Sequence, residues 1–562
     1  MKRSKVLLLL LFSMGLSSCR LIGIHYKVEN PKKAGKYPKE TRAITLWAKD
    51  SKYRSCFDVY HNDLTVNVDP EKKYLKGSVI ISATATTNFD TLQIDLYENM
   101  KIISIQRGSN GDLQPTLPFT RENGAVFVPM KRTIRAGDKF SLIINYEGKP
   151  TIAKKAPWDG GFVWKKDKHG NPWIGVVCET EGSSLWWPSK DIMNDEADST
   201  DVRIIVPKNL TAVSNGVLKD TAIQDNKKMF HWHISYPINN YNVTLYVGDL
   251  KLLHDTYTSS TGKIIDLNHY VLPDNYEKAK THFQQLKKYL AFYELMFGPY
   301  PWQNDGFKLV ESPYEGMEHQ SAIAYGNGYK NNYSGMFDYI ILHETAHEWW
   351  GNSVTAADLA DAWIHEGFAS YCEALYVESI MGKDEYTNYM WQQRITIMNK
   401  RPVVRQRGIR YFDYHDEDVY SKGSWVLHTL RTVLDDDKLF FDILKTFRME
   451  NHEKEILSET FIDLVNKKTG KDYTWFFKQY LFRREAPILE YCTTNDKLYY
   501  KWTCTNDDFV MPIKIKVNAK TITLVPTTKV QSVELNRAEG FYDNSLDEYY
   551  GMKENKKLAK EN

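Results

Sequence analysis

Five consecutive residues, His343-Glu344-Thr345-Ala346-His347, concentrate more chemistry-bearing side chains than any other stretch of the chain. On a helix the two imidazoles, four residues apart, leave the same face one above the other. Two neutral ring nitrogens so placed can grip one metal ion, and zinc suits such donors. Glu344 points about 100° around the helix from His343, so it can reach a water without ligating the metal. Two nitrogens leave a four-coordinate site incomplete. Glu366, with eighteen residues between it and His347, can supply a third ligand. It lies in Trp363-Ile364-His365-Glu366-Gly367-Phe368-Ala369, which opens a helical run to about Met381. A helix, a turn and an antiparallel helix would return that carboxylate to the histidines and leave a fourth position open for water. The chemistry of such a set is hydrolysis at one zinc ion, with Glu344 as the base.

Phe337, Ile340, Ile341 and Trp350 give the first helix an apolar face, so it packs against other elements instead of displaying solvated histidines. Glu373 follows Glu366 by seven residues, two turns along the same face, and is predicted to orient a zinc histidine from behind.

These helices need a large scaffold. At 562 residues the chain exceeds what one core organises, and three or four domains are expected. The composition is globular, 42% hydrophobic and 26% charged, and a net charge of +2 gives no reason to invoke nucleic acid. From residue 53 to 252 the apolar period is two. Leu64–Val68, Gly77–Ala83, Leu92–Leu96, Ala125–Val128, Phe140–Tyr146, Val202–Val206 and Tyr241–Val247 are strand candidates, with turns such as Asp69-Pro70 and Asn110-Gly111-Asp112 between them. His231 and His233 share one strand face and are read as a half-buried structural pair in preference to metal ligands. From 253 to 484 the period becomes helical. Phe283 to Met296 closes at Gly298-Pro299, and runs at Lys422–Val433, Phe440–Arg448, Ser458–Lys467 and Tyr473–Phe482 follow the motif helices. Alternation returns over 485–545 in a small β module, and 546–562 is a charged tail expected to fray.

Lys2, Arg3 and Lys5, the apolar run Val6–Phe12 and then Leu16-Ser17-Ser18-Cys19 read as an export leader over residues 1–19. Its apolar run is too short for a stable spanning helix. Small residues before a cysteine resemble the bacterial lipobox, which implies cleavage before Cys19 and acylation there. The mature protein is then lipid-anchored in the cell envelope, on the periplasmic face or the cell surface, with residues 20–52 as a tether. Five cysteines remain, an odd number, and no disulfide framework is expected. A two-residue turn at Asn495-Asp496 would set Cys492 opposite Tyr499 and not Cys504. The oligomeric state is left open.

Taken together, His343-Glu-Thr-Ala-His347-Glu-Trp-Trp-Gly-Asn352, Trp363-Ile-His-Glu-Gly-Phe368, Gly316-Met-Glu318 and Tyr420-Ser-Lys-Gly423 resemble the gluzincin aminopeptidases typified by aminopeptidase N and leukotriene-A hydrolase. The resemblance runs from about Asp58 to Asp543. It implies a multidomain α+β fold: an N-terminal β domain, a thermolysin-like, mainly helical catalytic domain and a small C-terminal β-sandwich. Many members add a helical domain that roofs the cleft; this chain stops before one, and a more open cleft is expected.

The resemblance makes His343, His347 and Glu366 the zinc ligands, Glu344 the general base and Tyr420 the transition-state stabiliser. It makes Glu318 the carboxylate that binds the free α-ammonium of a substrate. Glu179, in Cys178-Glu179-Thr180-Glu181, resembles a second amine-binding acid, with Glu181 as a neighbouring candidate. Gly316 and Met317 are placed to hydrogen-bond an extended peptide as an added strand would. Two positions depart from the family pattern. His319 and His365 stand where Asn is usual, and His319 could bring positive charge to the amine pocket. The implied activity is removal of the N-terminal residue from peptides with a free amino terminus. Two rivals remain: a thermolysin-type zinc endopeptidase, and a peptide-binding lipoprotein with dead chemistry.

Overall fold

The computed structural model describes residues 30–561 except 110–111, 114, 414–415, 519, 537–539 and 544–546. The leader with Cys19, residues 20–29 of the expected tether, and Asn110 and Gly111 of an expected turn lie outside the described residues.

Alternation builds the β domain. In the strand Phe57–Asp69, Leu64, Val66 and Val68 are all buried while their neighbours face outward. This strand pairs antiparallel with Tyr74–Ala85 and parallel with Ser199–Pro207 inside an eight-stranded sheet, which four- and three-stranded sheets accompany. The stretch Tyr241–Val247 is not one strand. Asn239 caps a 3-10 turn over Asn240–Asn242, and only Tyr246–Gly248 pairs. His231 and His233 lie on the strand Lys227–Ile234, where both contact Asp201, at 2.7 and 3.1 Å; neither belongs to a metal-sized cluster among the described residues.

The catalytic domain opens on a five-stranded sheet whose members include Lys251–Thr258, Ile264–Val271, Lys308–Glu311, Gly316–Met317 and Ala322–Tyr325. The first motif helix, Tyr339–Ala346, starts at Asp338, whose buried carboxylate accepts from the Ile340 and Ile341 amides, the Tyr325 hydroxyl and Asn327. The second, Trp363–Met381, is buried from Trp363 through Val377. The link between them is not a simple turn. A short strand, Val354–Ala356, pairs with Lys454–Ile456, and a 3-10 turn, Leu359–Asp361, follows. The helix Lys383–Arg394 went unread because its sequence is mostly polar; Tyr386, Tyr389 and Met390 supply its inner face.

Two expectations at the ends of the chain need correction. Residues 30–52 do not hang free as a tether. Asn30 exchanges side-chain hydrogen bonds with the Ala486 backbone, Gly35 donates to the Lys400 carbonyl, and the Tyr37 ring packs edge-on against Tyr411. Thr41 then caps a helix over Arg42–Ala48. Composition suggested a linker, but aromatic and capping residues within it dock the segment. The tail is ordered too. Gly551–Glu554 pairs in parallel with Ile488–Thr493, and Tyr549, Tyr550 and Leu558 are buried among the charges. The C-terminal module thus comprises a four-stranded and a three-stranded sheet, with Cys492 opposite Tyr499. All five described cysteines are free thiols.

Candidate active site

One helical turn presents His343 and His347 side by side, with Nε2 atoms 3.2 Å apart. Glu366 comes from the antiparallel helix, its Oε2 3.4 Å from His343 Nε2 and 3.5 Å from His347 Nε2. Four ligands held tetrahedrally about 2.1 Å from zinc stand about 3.4 Å from one another, so these three atoms form one face of such a site. Glu366 Oε2 is buried without a hydrogen-bond partner. That orphan is what a ligand atom facing a cation looks like. Burial alone would raise the Glu366 carboxyl, but the adjoining imidazoles of His347 and His343 hold it well below the usual range.

The far sides of the rings fix the tautomers. His347 Nδ1–H donates to the Trp350 carbonyl at 2.9 Å, and His343 Nδ1–H donates to Glu373 Oε1 at 2.5 Å. Both Nε2 lone pairs are therefore free to ligate a metal ion. The other oxygen of Glu373 accepts the Tyr389 hydroxyl, from the helix that sequence periodicity missed. Glu373→Gln is expected to weaken zinc binding about 10- to 100-fold with the fold intact, as measured by competition with a chromogenic chelator.

Glu344 is 8% exposed and borders the strand Gly316–Met317. A Cβ at Gly316 would overlap Glu344 Oε1 and stand 3.0 Å from Ile340, so only glycine lets this carboxylate lie against that strand. Burial raises the Glu344 carboxyl, while the neighbouring imidazoles pull it back. Tyr420 sits in a π-helical turn, Asp418–Lys422, with its ring 6.4 Å from that of His343. That turn approaches the Glu366 helix backbone to backbone, since a Cβ on Gly367 would meet Gly423 Cα at 2.9 Å. Two glycines thus let the tyrosine's segment reach the helix that carries Glu366.

Glu318 is 3% and Glu179 4% exposed, and one carboxylate oxygen of each lies within 4.8 Å of the other and of a His365 ring nitrogen. Tyr241 donates its hydroxyl to Glu318 Oε1 at 3.2 Å, and Asn352 donates to the Glu318 carbonyl at 2.8 Å. Burial raises the Glu318 carboxyl, with His347 and Tyr241 acting against it. Of the two loop acids it is Glu179 that joins this group. Glu181 packs beside Gly160 and takes the Thr180 hydroxyl at 2.5 Å. His319 brings no positive charge. It is fully buried, burial pushes it down to about 3, and its Nδ1 pairs at 2.7 Å with the Tyr246 hydroxyl, itself bonded to the Ala322 carbonyl. Tyr241 and Tyr389 carried no motif in the sequence, and only the fold brings them to the site.

The two halves of this arrangement match known domains. Residues 58–241 match the peptidase M1 N-terminal domain and residues 281–480 the peptidase family M1 domain, together more than half of the chain. The chain belongs to this family, the gluzincin aminopeptidases, and its site is built for one zinc ion. Aminopeptidase B of Mus musculus is 25% identical over 424 residues, 69% of this chain and 62% of that protein. Endoplasmic reticulum aminopeptidase 2 of Homo sapiens is 25% identical over 295 residues, 48% of this chain and 29% of its own length. The chain therefore spans less than two thirds of these relatives. An M1 zinc metallopeptidase of Deinococcus radiodurans, crystallised as a mutant with a Tyr-Ser-Ala substrate, has the same fold. Its TM-score is 0.64 at 22% identity, covering 76% of this chain and 95% of that one.

Proposed function

We propose that this protein is a zinc-dependent aminopeptidase that removes the N-terminal residue from peptides with a free amino terminus. The observation that carries the reading is the buried pair Glu318 and Glu179 beside the His343, His347 and Glu366 triad. Two carboxylates withdrawn from water need a cation, and the α-ammonium of a peptide supplies one. Anchoring that group sets the first peptide bond, and no other, against the ion.

His343, His347 and Glu366 would hold one zinc ion, which when bound would supply Lewis acidity for the attacking water and the scissile carbonyl. Glu344 takes the proton of the attacking water and passes it to the leaving amide nitrogen, so one carboxylate serves as base and then as acid. The Tyr420 hydroxyl donates to the carbonyl oxygen as negative charge gathers on it. Gly316 and Met317 border the cleft as a two-residue strand that, among the described residues, pairs with Ala324 and Tyr325 at the end of its sheet, and their outer edge suits an extended peptide.

The test compares aminoacyl-arylamides with matched N-acetylated peptides, with and without a chelator, in the parent and in Glu318→Ala. Chelator-sensitive cleavage of free-amine substrates alone, with kcat/KM reduced about 100-fold or more in Glu318→Ala, is the expected result. Cleavage of the blocked peptides, undiminished in Glu318→Ala, would replace this reading with an endopeptidase. No turnover by zinc-loaded protein would leave a binding protein. From the leader we further propose export and acylation at Cys19, which the mass of the mature amino terminus checks.

A further inference from the structure

Inside the amine pocket one polar atom has no part in the reaction just described. His365 is fully buried, its Nε2 accepts the Ala356 amide hydrogen at 2.9 Å, and its Nδ1 has no hydrogen-bond partner. With Nε2 committed as an acceptor, the ring proton belongs to Nδ1, and the ring presents a donor of fixed tautomer. One ring nitrogen lies within 4.8 Å of an oxygen of Glu179 and of Glu318. With Nε2 engaged by the Ala356 amide, Nδ1–H is the one donor the ring has left to offer. On distance alone the trio would suit a divalent cation, but a protonated nitrogen cannot ligate one.

Space for the ring is built in. A Cβ on Gly351 would stand 3.3 Å from His347 Nδ1 and 3.4 Å from His365 Nδ1, so the glycine lets the zinc ligand and His365 approach each other. An N–H buried without a partner is costly, and its presence beside two carboxylates calls for a function.

We infer that His365 is a positioning residue of the amine pocket: its Nδ1–H draws in one carboxylate oxygen of the Glu179–Glu318 pair and so aims the remaining oxygens at the substrate's α-ammonium. Two adjacent carboxylates repel each other, and a fixed donor beside them orients their oxygens before substrate arrives. The inference rests on the aminopeptidase reading above.

The test assays His365→Leu, His365→Phe and His365→Asn on a free-amine arylamide, with zinc content and thermal midpoint recorded. Leu and Phe remove the donor and are expected to raise KM about tenfold or more, with kcat within about threefold and one zinc retained per chain. Asn keeps a side-chain N–H and is expected to hold KM within about threefold of the parent. An unchanged KM in both Leu and Phe variants, or equal damage from Asn, overturns the inference. So does a second zinc ion in the parent that His365→Leu removes. Glu318→Ala run alongside separates the two failures. If it leaves KM untouched, the amine-pocket reading falls; if it raises KM while Leu and Phe do not, only the role of His365 falls.

Discussion

Glu344→Gln is expected to lower kcat about 10³- to 10⁴-fold while zinc content and thermal midpoint stay at parent values. The amide keeps the shape of the carboxylate, so contacts with Gly316 and Ile340 survive. What disappears is a buried carboxylate against the strand Gly316–Met317 that belongs neither to the His343, His347 and Glu366 cluster nor to the Glu179–Glu318 pair. The ligand atoms of His343, His347 and Glu366 do not depend on it. Stoichiometric zinc with turnover lost assigns Glu344 to proton transfer. Loss of zinc would instead make it part of the ligand sphere, and a kcat within tenfold of the parent would assign the base elsewhere.

Tyr420→Phe is expected to lower kcat about 10²- to 10³-fold, the usual effect of removing one donor to a developing oxyanion, about 3 to 4 kcal/mol. KM should move less than about threefold, because the hydroxyl interacts chiefly with charge that exists only in the transition state. The ring itself remains against His343 and Phe412, so the variant tests the hydroxyl and not the packing. A parallel rise in KM with unchanged kcat would make Tyr420 a ground-state contact. Pre-steady-state measurement of the chemical step decides between the two.

These two residues also show how far local pattern reaches. The proposed role of Glu344 was legible because it rests on helix geometry: once His343 and His347 are one turn apart, its direction is set. Glu373 was legible for the same reason, two turns beyond Glu366, and it does lie on His343. Tyr420 was legible only by resemblance, since nothing in its surroundings predicts a π-helical turn or the approach of Gly423 to Gly367. Residues 30–52 and the tail were misjudged because average composition carries no information about docking. A few side chains, Tyr37, Thr41, Tyr549 and Leu558, decide it. The Tyr241 segment reads as a strand by alternation, but tertiary contacts break it into a turn that delivers the hydroxyl to Glu318.

By itself the sequence pointed to one zinc ion and to the order of the domains, because these follow from spacing along one or two helices and from periodicity within one domain; the family followed from its motifs taken together. The tertiary structure alone decided which loop acid, Glu179 or Glu181, joins Glu318. It alone decided that His319 is neutral and that His365 offers a fixed donor. The physical reason is common to all three. A side chain's charge, tautomer and reach are set by what is packed against it, and here those partners (Tyr246, Ala356, Gly160) come from elements distant in the chain or folded back by turns that no local period encodes.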